Sequence, residues 1–372
     1  MEKSKVYFTD MRVKVGESLL VKLERLMKKA GFESIDMDGK FVAIKMHFGE
    51  YGNLGFLRPN YAKTVADYVK KQGGKPFLTD CNTLYVGSRK NALEHMDTAN
   101  LNGFSPMTTG CQVIIADGLK GTDDVEIPVE GGDYVKNAKI GRAVMDADVI
   151  ISLTHFKGHE ATGFGGAMKN LGMGCGSRAG KMEQHSSGKP HVRQEVCIGC
   201  GACRRICAWD APVIKDKKCT IDHAKCVGCG RCLGVCPKDA IEPPFDQSND
   251  VLNCKIAEYT KAVVSGRPAF HISLIVDVSP NCDCHGENDA PIVPNVGMLA
   301  SFDPVALDCA CADLVNEQTP NTSSQLVDHM RQEHDPHADY FDITGPDTNW
   351  RTMIDHAEKI GLGTREYDLI KI

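Results

Sequence analysis

Apolar positions recur along the chain in two rhythms. Over residues 17–30 they return every three or four positions and stop at Gly31, which predicts an amphipathic helix. Residues 60–72, 88–101 and 139–147 carry the same rhythm. Between them lie short apolar runs at 41–46, 76–79, 112–116 and 148–153, of the length expected for buried strands. This alternation predicts an α/β fold, a mostly parallel sheet with helices on both faces. In such folds chemistry gathers at the carboxyl ends of strands. Polar residues do follow the runs here: His47 and Glu50, Asp80 and Cys81, then His155, Lys157 and His159. Gly158 between the two histidines argues for a loop rather than a helix face.

The second half continues the pattern after an interruption. Residues 177–192 are polar and read as a linker, and Pro243-Pro244 breaks the chain. Residues 255–264 are helical in pattern, and 271–276 (HISLIV) form a strong strand that needs a sheet to join. The simplest organisation places residues 1–190 and 246–372 in one α/β domain, with 191–245 inserted. A separate C-terminal domain is the rival. Asp303-Pro304 reads as an N-cap followed by proline at the first helical position. The apolar stripe of that helix puts Cys311 in the core and leaves Cys309 unassigned. Further helices are expected at 323–333 and 350–360, and His329, His334 and His337, among charged neighbours, read as solvated surface.

The inserted stretch changes the picture. Cys197, Cys200, Cys203 and Cys207 follow a C-x2-C-x2-C-x3-C spacing, and Cys226, Cys229, Cys232 and Cys236 repeat it 29 residues later, closing with Pro237. This is the spacing of bacterial two-cluster ferredoxins, in which the last Cys of each run serves the other cluster. Cys197, Cys200, Cys203 and Cys236 are therefore assigned to one [4Fe-4S] cluster, and Cys226, Cys229, Cys232 and Cys207 to the second. The stretch is accordingly expected to be an α+β ferredoxin-like two-cluster module. Ala208 stands where the pattern has proline, a position that supplies no ligand. A pair of zinc knuckles is the alternative; eight Cys in two register-matched copies, with no His at ligand spacing inside either run, argue against it.

Composition narrows the setting. The chain has 372 residues, is 42% hydrophobic and carries a net charge of −6, which argues against nucleic acid and anionic membrane as partners. The cysteine-rich stretch is locally basic, which offsets cluster charge. The chain has 17 cysteines, no apolar signal core at its start and no run approaching ~18 apolar residues. Reduced thiols at iron–sulfur spacing point to the cytoplasm.

Two further constellations remain. The Gly-rich segment 163–176 contains Lys169 and could let backbone amides cradle an anion, although it matches no nucleotide fingerprint. Its plain alternative is a flexible connection. Cys282 and Cys284 follow the strand at 271–276 and could hold a soft metal or an additional cluster, with His285 nearby and further ligands from Cys81, Cys175, His155 or His159. The alternatives are two reduced, buried thiols or a redox-active pair.

The residues His47-Phe48-Gly49-Glu50, Asp80-Cys81-Asn82-Thr83-Leu84-Tyr85, His155-Phe156-Lys157-Gly158-His159, Gly165 to Gly174, Cys282-Asp283-Cys284 and Asp303 to Asp308 together resemble the iron–sulfur-containing members of the family called domain of unknown function 362. The resemblance spans both sides of the cysteine runs. It implies an α/β fold and cubane clusters, and supplies no reaction. Two functions follow as expectations. One is a reductase passing electrons through two [4Fe-4S] clusters to a substrate or metal centre in an α/β pocket lined by His47, His155, Lys157, His159 and Lys169. The other is a ferredoxin-like electron carrier, or a cofactor-assembly protein, whose α/β part docks a partner. Either implies an electron donor or acceptor protein; the first adds a small-molecule substrate.

Overall fold

A computed structural model describes residues 3–85, 87–186, 189–332 and 338–372. Its centre is an eight-stranded sheet. The strands are β1 (Ser4–Asp10), β2 (Phe41–Lys45), β3 (Lys75–Asp80), β4 (Gln112–Ile115), β5 (Val149–His155), β6 (Ala269–Ile275), β7 (Gly297–Ser301) and β8 (Tyr367–Lys371). They lie in the order β8-β1-β7-β6-β5-β2-β3-β4. Only β7 runs antiparallel to its neighbours β1 and β6; the remaining adjacent pairs are parallel.

Side chains alternate across this sheet, as extended backbone requires. Val42 and Ile44 of β2 face α1 (Leu19–Lys29) and α2 (Pro59–Lys71), where they pack with Leu23, Leu26, Val65 and Val69. Ala43 faces the other way, toward Leu171 of α4 (Ala167–Cys175) and Tyr259 and Val263 of α6 (Asn249–Val264). Helix α7 (Pro304–Asn316) covers the same second face, with Leu307, Cys311 and Leu314 packed near Val6 and Leu299. Its cap is local: Asp303 Oδ1 accepts the N–H groups of Val305 (2.8 Å) and Ala306 (3.1 Å). Cys309 is also buried. Strand β6, which follows the cysteine-rich stretch, pairs in parallel with β5 from Ala269↔Ile150 to Leu274↔His155.

Several elements differ from the sequence pattern. Residues 137–141 are not the start of a helix. They form a strand paired with 124–128, and the helix shrinks to Arg142–Met145. The helix expected from 88 begins later, as α3 (Ala92–Leu101) capped by Asn91, because Ser88 and Arg89 are drawn to Glu50. The polar linker contains a real helix, α5 (Arg178–His185). Its polar side chains are buried against backbone carbonyls: Lys181 Nζ donates to Gly176 (2.6 Å), and Arg178 to Lys120 (3.0 Å) and Thr83 (3.2 Å). Residues 157–159 and 163–165 form a small hairpin rather than a loop. The C-terminal helices are shorter than expected, at Gln325–Met330 and α8 (Arg351–Lys359). His329 is part-buried, with Nδ1 2.9 Å from the Ile343 carbonyl, so it is not free surface; His334 and His337 lie outside the described residues.

The cysteine-rich stretch contains two short antiparallel pairs, His191–Val192 with Ile241–Glu242 and Pro212–Lys215 with Lys218–Ile221. Asp216 and Lys217 both take positive φ in the two-residue turn of the second pair, as a primed hairpin turn demands. The stretch is tied to the α/β part by Lys90–Asp239 (2.8 Å) and by Arg178, which packs beside Gly230 and Gly234.

Candidate functional site

The chain runs from β2 outward to β3 and β4 on one side of the sheet, and to β5 and β6 on the other. Such a reversal opens a crevice at the carboxyl ends of the strands. A cavity of about 670 Å³ lies there. His47, His155, Lys157, His159 and Lys169 all line it, as do Cys282 and Cys284.

Paired charges build the floor. Lys45 Nζ sits 3.1 Å from Asp80 and donates to Asn170 Oδ1 (2.8 Å). Arg89 Nε donates to Glu50 (2.9 Å) and is fully buried. His47 accepts the Gly49 N–H on Nδ1 (3.0 Å), so its neutral ring carries the proton on Nε2. Burial, with the Arg89 guanidinium nearby, holds its pKa well below the ordinary histidine value.

The hairpin supplies the next wall. His155, Lys157 and His159 alternate with Phe156, which turns into an aromatic cluster with Phe164 and Phe341. Gly158 is required by contact: its N–H donates to Ser279 (2.8 Å), and a Cβ there would overlap the Pro280 carbonyl. This close approach brings the segment of Cys282 against the hairpin. The three side chains then differ in role. His155 has both nitrogens committed, to Asp283 (2.8 Å) and the Val276 carbonyl (2.7 Å). Lys157 donates to the His155 carbonyl (3.2 Å) beside Asp283. His159 accepts the Ala161 and Thr162 N–H groups on Nδ1 (3.0 and 3.2 Å), which places its Nε2 proton on the cavity side, toward Cys282 and Glu160.

Lys169 Nζ lies 3.4 Å from Cys282 Sγ. Hydrogen bonding from Cys284, opposed by burial and reinforced by Lys169 and His159, holds the Cys282 thiol well below its usual range. Burial works against the Lys169 charge, but Cys282, Cys284 and Glu160 outweigh it and raise its pKa. Glu160, unremarked in the sequence, accepts the Cys282 N–H (3.3 Å) and lies 3.1 Å from His285 Nε2. Burial opposes its ionisation, yet His159 and His285 bring its pKa down to about 2.

Two expectations are corrected here. The amides at the start of α4 are not open to an external anion: Asp308 already accepts those of Ala167 and Met168. Cys81 and Cys175 do not join Cys282 and Cys284. The Cys81 thiol donates to the Cys175 carbonyl (3.3 Å), and both pack in an apolar cluster. Lys181 and His185 of α5 also line the cavity, a contribution hidden by the polar character of that segment.

The cysteine runs lie around two much smaller cavities. Cys197, Cys200, Cys203 and Cys236 border one, and Cys207, Cys226, Cys229 and Cys232 the other. Cys219, outside both runs, sits with Sγ 3.5 Å from Cys203 Sγ and donates its N–H to Cys197 Sγ (3.3 Å). The Ala240 N–H points at Cys236 Sγ (3.2 Å). Leu84 joins the two regions, since it lines the large cavity and packs in one cluster with Leu233, Cys203 and Cys219.

These features define an α/β protein with a polar cavity at the carboxyl edge of its sheet and a cysteine-rich segment beside it. The family described as domain of unknown function (DUF362) matches residues 42–313, and the chain belongs to that family. It is 28% identical over 165 residues to a thylakoid-associated protein of Synechocystis sp., covering 42% of this chain and 46% of that protein. The chain thus spans about half the length of the curated relative it matches. Similar solved structures include the lactate racemase apoprotein of Thermoanaerobacterium thermosaccharolyticum, with a TM-score of 0.35 over 74% of this chain and 51% of that one. A Thermotoga maritima protein gives a TM-score of 0.41 over 81% of this chain and 58% of its own; both are 12% identical. No helix among the described residues is long and apolar enough to cross a membrane.

Proposed function

We propose that the chain is an iron–sulfur redox protein, a reductase serving a substrate or metal centre in the cavity at the carboxyl ends of the sheet. The observation that carries this reading is the grouping of the eight thiols of the two runs, four and four, around two small cavities beside the larger one, with Cys219 a fifth thiol at the first. The donor sets suit cubane clusters: sulfur alone among the ligating side chains bordering each small cavity, with backbone N–H groups aimed at sulfur. Cys197, Cys200, Cys203 and Cys236 would hold one [4Fe-4S] cluster, and Cys207, Cys226, Cys229 and Cys232 the other. Such clusters, when bound, supply one-electron transfer.

The chain's own residues would do the rest. Lys169 offers positive charge, and the Nε2–H groups of His47 and His159 offer hydrogen bonds, to a bound group. His155 and Asp283 hold the hairpin wall in place.

Exposed Ile198, Trp209 and Val227 beside the cysteine runs favour a second reading, a ferredoxin-like carrier or cofactor-assembly protein. Apolar residues at the rim of a redox centre suit transient docking of a partner. Iron and acid-labile sulfide on protein purified without oxygen test the common core of both readings. About eight of each per chain are expected. Zinc in place of iron, or fewer than about four iron in fresh anaerobic protein, overturns it.

A further inference from the structure

Glu160, Cys284 and His285 converge from two separate loops. One ligand atom of each lies within 4.8 Å of the others. All three line the large cavity, at its edge. We propose that they form a mononuclear site for a divalent first-row transition ion, with a free coordination position facing the cavity. The proposal deepens the reading above by naming what the cavity holds, and it rests on its own donor atoms.

The donor types set the class of ion. A carboxylate, an imidazole and a thiolate are a mixed set suited to zinc, cobalt, nickel or iron(II), and poor for magnesium or calcium. Two anionic ligands neutralise a divalent ion, so the loaded site adds no net charge to the cavity. Tetrahedral ligands around zinc are separated by about 3.3–3.8 Å. Glu160 and His285 already lie 3.1 Å apart, and both are exposed enough to rotate the remaining distance. Three protein ligands leave the fourth position open, the arrangement of catalytic rather than structural sites.

The loop bearing Cys284 and His285 is held from behind. Asn53 Nδ2 donates to the His285 carbonyl (3.1 Å), and the Glu50 N–H to that of Asp283 (3.0 Å). A Cβ at Gly286 would stand 2.7 Å from the Tyr51 carbonyl, so the backbone is pressed against that turn. On the other side, the Cys282 N–H orients the Glu160 carboxylate (3.3 Å). Such support is what fixes metal ligands in place. Cys282 itself is paired with Lys169, which leaves it beside the site rather than in it.

The test is zinc binding to anaerobically purified, cluster-containing protein, read by metal analysis and zinc-edge X-ray absorption, which does not see iron. One zinc per chain with a single sulfur neighbour is expected. Cys284→Ser and His285→Ala should each weaken binding at least about ten-fold, the first removing the sulfur neighbour. Cys282→Ser should keep one zinc and one sulfur. No bound zinc, two or more sulfur neighbours, or loss of the ion in Cys282→Ser overturns the proposal. Iron and sulfide counted on the same samples separate the two readings: eight iron without zinc refutes this site alone, and one zinc on an iron-free chain refutes the clusters alone.

Discussion

Asp308 of α7 caps α4 from across the core, its Oδ1 accepting the N–H of Ala167 at 2.6 Å and its Oδ2 that of Met168 at 3.0 Å. Gly166, just before α4, makes room for this carboxyl group: a Cβ there would overlap it. The Gly-rich segment therefore closes on an internal carboxyl group, whose pKa burial raises to about 7.

Asp308→Ala would strand two buried N–H groups and should cost about 2–4 kcal/mol. Gly166→Ala should be comparably harmful by overlap. Asp308→Asn keeps one acceptor and should cost less than alanine. Anaerobic urea unfolding checks the order; a loss under about 0.5 kcal/mol in Asp308→Ala would remove the cap's importance.

His356 links α8 to α6 through Glu258, at 2.8 Å, while Glu258 also accepts the Asp133 and Val135 N–H groups. Bonding to Cys254 and Glu258 raises the His356 pKa from 6.5 to about 9. A raised folded-state value means stabilisation that is complete below about pH 6.5 and lost as pH rises through 9. The gap in urea midpoint between the wild type and His356→Gln should be wide at pH 6 and narrow at pH 9.5. A gap unchanged by pH would show that the imidazolium adds nothing.

What could be read in the chain, and what could not, follows from how each residue is satisfied. The runs around Ile150 and Ile272 are buried on both faces, so hydrophobicity alone marks them as strands. Asp303-Pro304 is a local signal and is met locally. Strands β1, β7 and β8 escape notice because their stability is non-local: Phe8 pairs with Leu299 and Lys371, nearly the whole chain away. The sequence of β7, GMLAS, has little β-branched content to announce it. Helix α5 escapes for the opposite reason. Arg178, Lys181 and Gln184 read as solvated, yet each is buried against backbone carbonyls. At the site, the strand-end rule brings forward His47, His155, Lys157 and His159, and the Gly-rich segment brings forward Lys169. Glu160 stays hidden because its partner His285 is 125 residues away.

Lys169 and Cys282 form a pair whose chemistry can be read directly. The positive charge at 3.4 Å favours the thiolate. Lys169→Met should move the pH midpoint for alkylation of Cys282 upward, and labelling at pH 7 should fall several-fold. Peptide mass spectrometry of iodoacetamide-treated, metal-stripped protein reads both. An unmoved profile would leave Cys284 and His159 as the groups holding the thiol down.

Cys207 offers the sharpest test of the ligand sets. It closes the first cysteine run in sequence but borders the cavity of Cys226, Cys229 and Cys232 in space. Cys207→Ser should therefore weaken the cluster held by the second run and spare the one held by Cys197, Cys200, Cys203 and Cys236. In anaerobic protein, electron paramagnetic resonance after reduction should show one intact [4Fe-4S] signal and one lost or converted to a three-iron form. Cys236→Ser should do the reverse. Combining Cys207→Ser with Cys229→Ser should then damage no further cluster, because both changes strike one site. Combining Cys207→Ser with Cys200→Ser should abolish both signals. If the first pair destroys two clusters and the second only one, each run holds its own cluster and the crossed assignment is wrong.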